Sequence, residues 1–327
     1  MTSIKAVLAC CAGLFAVGTA GAQNAVPAAD YPNHSVRVLV GYTPGGPTDV
    51  IARIISQKLS DSLGRQFYVE NMPGAGGNIA TANAAKAAPD GYAITVVSTN
   101  LMVNMSLYTR VPYDAVKDFA PITMVAYSPN VIVVDPSVPA KSVKELIELI
   151  KANPGKYSFA SPGIGSTPHL SGELFKQKFA LDIVHVPFPG AAQAISSTIG
   201  GHTPIAFTSL PPALANIKGG QIRALAVLSV KRNAELPDVP TMQEAGYPDQ
   251  EADTLTGVLA PAGTPKEIID LLQREIAKAV AQPDGKAKLL KLGFEPVANK
   301  PEEFGARIKS EIEKWGKVVR DAHLRIE

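Results

Sequence analysis

Short β-rich runs alternate along the chain with segments in which apolar residues recur every three to four positions. These are the two periods expected of strands and of helix faces. Val36–Tyr42, Gln66–Glu70, Tyr92–Ser98, Ile122–Ala126, Val131–Val134, Tyr157–Ala160, Ile183–Val186, Pro204–Phe207, Ile222–Val227 and Leu255–Leu259 read as strands. Helix faces follow at Ile51, Ile54, Ile55, Leu59 and Leu63, at Leu146, Ile147 and Ile150, and at Ile268, Ile269, Leu272 and Ile276. Alternation of this kind predicts an α/β fold on a mostly parallel sheet. Ser142 to Glu145 and Thr264 to Glu267 have the spacing of capping boxes. Asn153-Pro154-Gly155 ends the helix that Ser142 starts.

Two of these units carry glycines at the strand–helix turn. The first reads VRVLVGYTPGGPTD, Val36 to Asp49. A helix N-terminus holds unpaired amides and a partial positive charge, so it suits an anion. Gly45 and Gly46 clear the approach to those amides, and Thr48 or Asp49 is placed to cap the helix. The second reads YSFASPGIGSTPH, Tyr157 to His169. Here Gly163 and Gly165 precede Ser166, Thr167 and Pro168, with Thr167 as the expected N-cap and Pro168 at the first helical position. A tight turn is the plainer reading of either unit alone. Two such units suggest two lobes that each offer a helix N-terminus to one cleft, an arrangement suited to a small carboxylate.

Ser98, Thr99 and Asn100 close one apolar strand, and Thr208 and Ser209 close another. Ligands in open α/β sheets sit at the carboxyl ends of strands, which makes these five candidate contacts. His169 and His185 lack a third ligand at metal spacing and read as structural. Gly74-Ala75-Gly76-Gly77 is half of a dinucleotide fingerprint and carries little weight alone. No G-x-S-x-G elbow and no Walker A sequence occur. Trp315 lies at helical spacing with Phe304, Ile308 and Ile312 and reads as packing.

The first residues change the picture of location. Lys5 is the only charge before Asp30, Ala6–Gly21 is apolar or small, and Ala20-Gly21-Ala22 has the form of a cleavage site. Residues 1–22 therefore read as a signal peptide, with a mature start at Gln23 and a periplasmic location. Cys10 and Cys11, the only cysteines, would leave with it, taking disulfide and thiol chemistry away. The 327 residues carry a formal charge of +2, a balance that gives no reason to expect nucleic acid or a membrane surface.

At this point the motifs resemble those of the solute-binding proteins of tripartite tricarboxylate transporters, the Bug family. The matching pieces are PGGPTD (Pro44–Asp49), VENMPGAGGNIA (Val69–Ala80), APDGY (Ala88–Tyr92), GIGSTPHLSGELF (Gly163–Phe175), VHVPF (Val184–Phe188), LPDVPTMQEAGYP (Leu236–Pro248) and LAPAGTP (Leu259–Pro265). Single pieces are weak, but their order and spacing are specific from Tyr31 nearly to the C-terminus. The resemblance implies a two-lobed, type II-like periplasmic-binding-protein fold with a ligand cleft. It also implies capture of small organic anions for membrane transporter subunits, with the loops Tyr42–Asp49 and Ser161–His169 gripping a carboxylate. Two positions depart from the family pattern. Phe188 and Pro189 stand where a Tyr and a polar residue are common, and Ser197 stands where an Asp is common. The departures point to an amine-free carboxylate, with aromatic acids ahead of aspartate or glutamate.

The expected organisation is lobe 1 from 23–128 plus 254–327 and lobe 2 from 129–253, with crossings near Tyr127–Val131 and Asp253–Gly257. The expected site comprises Tyr42, Pro44, Gly45, Gly46, Thr48, Asp49, Ser98, Thr99, Asn100, Ser161, Gly163, Gly165, Ser166, Thr167, Pro168, Phe188, Thr208 and Ser209. The expected protein is a monomeric, non-catalytic binding protein with no cofactor and no metal. A periplasmic sensor feeding a signalling receptor, or a secreted enzyme acting on a similar acid, is the alternative.

Overall fold

The computed structural model describes residues 30–327. The leader, its cleavage site and both cysteines lie outside the described residues. In chain order the elements are β1 (Val36–Val40), α1 (Pro47–Leu63), β2 (Phe67–Asn71), α2 (Asn78–Ala85), β3 (Ala93–Ser98), α3 (Asn100–Leu107) and β4 (Phe119–Val134). Then come α4 (Val143–Lys151), β5 (Tyr157–Ser161), α5 (Thr167–Phe179), β6 (Ile183–Pro187), α6 (Ala191–Ile199), β7 (Ile205–Ser209), α7 (Leu210–Lys218) and β8 (Arg223–Val227). The chain ends with β9 (Asp253–Pro261), α8 (Lys266–Ala281), α9 (Pro283–Lys291), β10 (Glu295–Pro296) and α10 (Pro301–Asp321).

One sheet runs through the molecule in the order β2-β1-β3-β9-β4-β7-β5-β6, with β8 and β10 also on β4. The two outer blocks are parallel inside, β2-β1-β3 in one and β7-β5-β6 in the other. The centre departs from the mostly parallel expectation, because β9 is antiparallel to both β3 and β4, and β4 is antiparallel to β7 and β8. The reason is the chain path: β4 and β9 are where the chain passes between the two blocks.

The single strand β4 replaces the two separate strands expected at Ile122–Ala126 and Val131–Val134. It changes partners partway, pairing Phe119–Pro129 with β9 and Asn130–Val134 with β7. Pro129 sits at the change and faces Asp253. Asn130 ties the region together: its Nδ2 donates to Ser171 Oγ at 3.2 Å, and its Oδ1 accepts from Thr254 Oγ1 at 3.1 Å.

Separate apolar cores lie on the two sides. Val38, Val40, Ile51, Ile55, Ile94, Ile268 and Leu272 share one. Ile132, Val134, Leu146, Ile150, Phe159, Phe175 and Phe207 share another. Helix α10 contributes to both sides: it places Phe304 and Ile308 with β3 and β9 residues, and Trp315, Val318 and Val319 with the core of β5 and β7. Trp315 is fully buried and donates to Glu311 Oε2 at 2.6 Å, so packing is its role.

Candidate ligand site

Topology sends the strands before the two glycine turns toward one crossing from opposite sides. Because β4 runs from the first block into the second, β1 and β3 end towards the second block. Strands β5, β6 and β7 run the other way and end towards the first. Ser98, at the end of β3, pairs with Thr256, which faces Ala126 of β4. Ser209, at the end of β7, faces Asn130 of the same strand. At roughly 3.3 Å per residue the two levels lie about 13 Å apart. All five candidate segments therefore leave the carboxyl ends of strands on either side of one crossing.

The first turn, Tyr42–Asp49, is held from below by a carboxylate. Helix α1 starts at Pro47 with Gly46 as N-cap and no side-chain cap, so neither Thr48 nor Asp49 caps it as expected. Instead Asp49, buried in the first turn, reaches back: its Oδ2 accepts from the Gly45 amide and from Arg53 Nε, each at 2.8 Å. Its Oδ1 accepts from Asn71 Nδ2 at 2.8 Å, and the same amide group donates to the Tyr42 carbonyl at 2.9 Å. Burial pushes the Asp49 carboxyl up, but the hydrogen bonds from Arg53, Gly45 and Asn71 outweigh it and hold its pKa below the ordinary value. Pro44 and Gly45 are exposed, and Gly45 has φ +84 with open space where a Cβ would lie. Tyr42 joins the turn to the end of β3 through its hydroxyl and Ser98 Oγ, 2.5 Å apart. Burial pushes that phenol up to about 12.

The second turn, Ser161–His169, follows the same plan with different chemistry. The N-cap is Ser166, not Thr167: its hydroxyl accepts from the His169 amide at 3.3 Å, and the helix begins at Thr167. Of the two adjacent hydroxyls, only Ser166 has the extended backbone a cap needs. The Gly165 amide donates to His169 Nδ1 at 3.0 Å, four residues on, as Gly45 donates to Asp49. A Cβ on Gly165 would lie 2.1 Å from Leu107 Cδ2, so this glycine is needed for packing against α3. Gly163 lies beside the Phe188 carbonyl, and the Phe188 amide donates to the Ser161 carbonyl at 3.0 Å. Thr167 and Pro168 are buried, and among the described residues Thr167 Oγ1 has no hydrogen-bond partner.

The remaining candidates divide. Asn100 is half-buried at the start of α3, near Ser98. Thr99 is spent on structure, its Oγ1 accepting from the Leu255 amide at 2.8 Å. Thr208 is fully buried in the β4–β7 ladder, and Ser209 opens α7. Ser197 pairs its hydroxyl with Thr203 at 2.8 Å. A surface cavity of about 790 Å³ lies by α2, Tyr108–Pro112 and Arg325–Glu327 and takes no residue from either turn.

Sequence reading missed Asn71 and the packing of the histidines. The rings of His169 and His185 stack with centroids 3.9 Å apart, and His185 Nε2 lies 2.7 Å from Ser161 Oγ. Burial holds the pKa of His169 down to about 3 and that of His185 to about 4, so both are neutral at pH 7. The register Phe159↔His185 between β5 and β6 creates this pairing, and no local pattern announces it. Among the described residues no cluster of three or more His, Cys, Asp or Glu is placed to hold a metal.

Comparison with known proteins agrees with the fold. Residues 51–324 match the family model of the tripartite tricarboxylate transporter family receptor. The protein BugT of Bordetella pertussis is 37% identical over 329 residues, covering 100% of this chain and 99% of its own. An R. palustris protein solved with adipate superposes with a TM-score of 0.84 at 34% identity, covering 91% of this chain and 100% of its own. MatC from Rhodopseudomonas palustris, solved with bound malate, gives 0.79 at 30% identity over 88% of this chain and 100% of its own. The periplasmic binding protein BugD superposes with a TM-score of 0.81 at 33% identity, covering 90% of this chain and 100% of its own. Among the described residues no helix is long and apolar enough to cross a membrane.

Proposed function

This chain belongs to the tripartite tricarboxylate transporter family of receptors, and from that premise we propose that it captures a small, amine-free organic carboxylate in the periplasm for transporter membrane subunits. The observation that carries the reading is the pair of turns at the ends of β1 and β5. In each, the first helical amides are left free beside a glycine. Among the described residues the Thr48 and Asp49 amides meet no acceptor, nor does that of Thr167. Relatives solved with adipate and malate support a carboxylate as the anion.

The class of acid follows from what the turns lack. An ammonium in the cleft needs a counter-charge, and burying it unpaired costs several kcal/mol. Asp49 is the acid nearest the turns, and its two oxygens already take three donors. Half-buried Phe188, beside Gly163, offers an apolar wall. An aromatic ring packed there gains about 0.5–1.5 kcal/mol beyond burial. The Ser197 hydroxyl is turned to Thr203, so the apolar character rests on Phe188.

Lobe 1 comprises 23–128 and 254–327 and lobe 2 comprises 129–253, and closure is a hinge motion at Pro129–Asn130 and Ala252–Asp253. The change of partners in β4 supports this division. The protein acts as a monomer without catalysis, and its leader is cleaved before Gln23.

A thermal-shift and calorimetric screen against adipate, malate, benzoate, glutamate and aspartate tests the proposal. A ligand at 100 times its Kd adds about 2.7 kcal/mol of stability. The methyl ester of the best acid should bind at least tenfold more weakly, about 1.4 kcal/mol. Equal binding of the ester removes the anion reading. Tight binding of glutamate with no response to any amine-free acid removes the ligand class.

A further inference from the structure

We propose that His169 and His185 are positioning residues of the second turn, two stacked neutral imidazoles that fix the direction of its backbone amides from behind. The proposal rests on the carboxylate reading above only for its consequence in binding, since the contacts themselves stand without a ligand.

The argument starts from proton bookkeeping. His169 Nδ1 accepts the Gly165 amide at 3.0 Å, so Nδ1 carries no proton and the ring is the neutral Nε2–H form. Nε2 points to Glu173 Oε1, 3.8 Å away. His185 Nε2 and Ser161 Oγ are 2.7 Å apart, and Ser161 Oγ accepts the Gly163 amide at 3.2 Å. Two of the turn's glycine amides are thereby anchored, one directly by an imidazole and one through a serine hydroxyl held by the second imidazole. With Gly163 and Gly165 fixed, the intervening Ile164 and the following Thr167 amides are left without an acceptor among the described residues.

Stacking makes the two anchors one device. His169 lies on His185 at 3.9 Å, and His185 lies on Phe159 at 4.8 Å. A charge on either ring would be buried against the other. The groups facing the pair are Glu173 and Lys176 from α5, Ser161 and Phe159 from β5, and the two rings themselves. Burial and Lys176 disfavour protonation of both rings, and burial pushes Glu173 up. Protonating His169 also removes the acceptor that Gly165 uses, so the turn cannot keep its shape once the ring is charged.

The test uses the ligand-free mature protein first. Proton–nitrogen NMR follows the imidazoles and the Gly163 and Gly165 amides from pH 7 to the lowest pH at which the fold persists. The expected result is that neither ring titrates near 6.5 and that the glycine amide signals move only together with the ring signals. In His169→Leu, hydrogen exchange at Gly165 should rise at least tenfold, with exchange in the core of β5 unchanged. His169→Asn restores an acceptor at the place Asp49 occupies in the first turn, and should return exchange to within about threefold. Should His169→Leu not fold, Ser161→Ala tests the Gly163 arm by the same exchange measurement. With adipate or benzoate as probe, His169→Leu should bind at least tenfold more weakly and His169→Asn nearly normally. Rings that titrate near 6.5, or a Gly165 amide indifferent to His169, overturn the proposal. If the exchange results hold but no carboxylate binds the wild type, the positioning role stands and the ligand reading fails.

Discussion

The two glycine turns share a backbone plan and differ in what holds it. In both, the residue before the N-cap donates its amide to the side chain four positions on, Gly45 to Asp49 and Gly165 to His169. In the first turn that acceptor is a carboxylate, and Arg53 and Asn71 complete it. In the second it is a neutral imidazole, and Ser166 supplies the cap that Gly46 cannot. The difference teaches where the anion is read. A carboxylate inside the first turn of α1 already opposes the positive end of that helix, whereas α5 keeps its field for whatever lies outside. On the proposed carboxylate reading, the second turn should be the stronger anion receptor and the first the stiffer frame.

The sharpest way to break this comparison is at its glycines. Gly165→Val puts a branched side chain where Leu107 Cδ2 stands, at φ +77. Overpacking and left-handed strain together should cost about 3 kcal/mol or more. The unfolding midpoint in denaturant measures it, and an unchanged midpoint would show that α3 does not press on this turn. Gly46→Val is the contrasting variant. Its φ is −72 and the nearest atom to a Cβ is 3.5 Å away. It should lose only about 1 kcal/mol through the poorer cap, while carboxylate affinity falls at least tenfold.

Removing the charge from the first turn sharpens the comparison. Asp49→Asn should cost about 2 kcal/mol, because Arg53, Gly45 and Asn71 lose a shared buried acceptor. Carboxylate affinity should rise, since the residual charge beside α1 becomes that of Arg53. Calorimetry decides, and lower affinity in the variant would mean that Asp49 orients the ligand itself.

Acid separates the two turns next. His169 and His185 have pKa values below that of the unfolded chain, so the unfolded state binds more protons below about 6.5 and stability falls as pH drops from there towards 3. Asp49 is also depressed, but its contribution is complete above the ordinary carboxylate value and is lost only below about 4. Asp253 has the opposite sign. Burial pushes it up to about 7 despite the Ser229 hydroxyl and Lys314, so its stabilising effect is present in acid and is lost as pH rises from about 4 to 7. Each group contributes a slope of at most about 1.4 kcal/mol per pH unit. In Asp253→Asn the fall in stability between pH 6.5 and 4.5 should steepen, and in His169→Asn it should flatten. Denaturant midpoints at a series of pH values give both slopes, and parallel curves for all three proteins would refute the assignment.

The smallest effect belongs to the cap. Ser166→Ala should cost about 1 kcal/mol, a loss without counterpart in the first turn, where no side chain caps. A cost indistinguishable from zero in the unfolding midpoint would put the work of the cap on His169 alone.

Much of this was legible before any coordinates, and the rest was not for identifiable reasons. Strand positions followed from runs such as Val36–Tyr42 and Tyr92–Ser98, which the structure trims to Val36–Val40 and Ala93–Ser98, because burial writes itself into local pattern. Ser142 caps α4 as its spacing predicts, accepting from the Glu145 amide. Thr264 does not cap α8, because its hydroxyl turns back to the Pro261 carbonyl. Spacing alone cannot distinguish these two outcomes. Strand direction was illegible at the centre, since a run of apolar residues reads the same whether its neighbour is parallel or antiparallel. The expected gap between the strands Ile122–Ala126 and Val131–Val134 lies instead inside one strand, with Pro129 at its change of partners. Asn71 and the histidine stack depend on register between separate strands, and the local pattern of a single sequence carries no trace of that.

The placement of β9 has a consequence for the order in which the molecule can form. Ser98 and Phe119 both need β9 as their neighbour, through Thr256 and Pro261, and α10 then seals Phe304 and Trp315 into opposite cores. The parallel pairs inside both blocks lie close in sequence and can form early. What must wait for β9 is the join of β3 to the first half of β4. Closing so long a loop before any contact repays it makes folding slow. A chain emerging N-terminus first therefore leaves the edge of β3 and the first half of β4 without their common neighbour until β9 has arrived. It also ties both halves into one cooperative unit, so a single unfolding transition is expected and neither half should survive proteolytic separation.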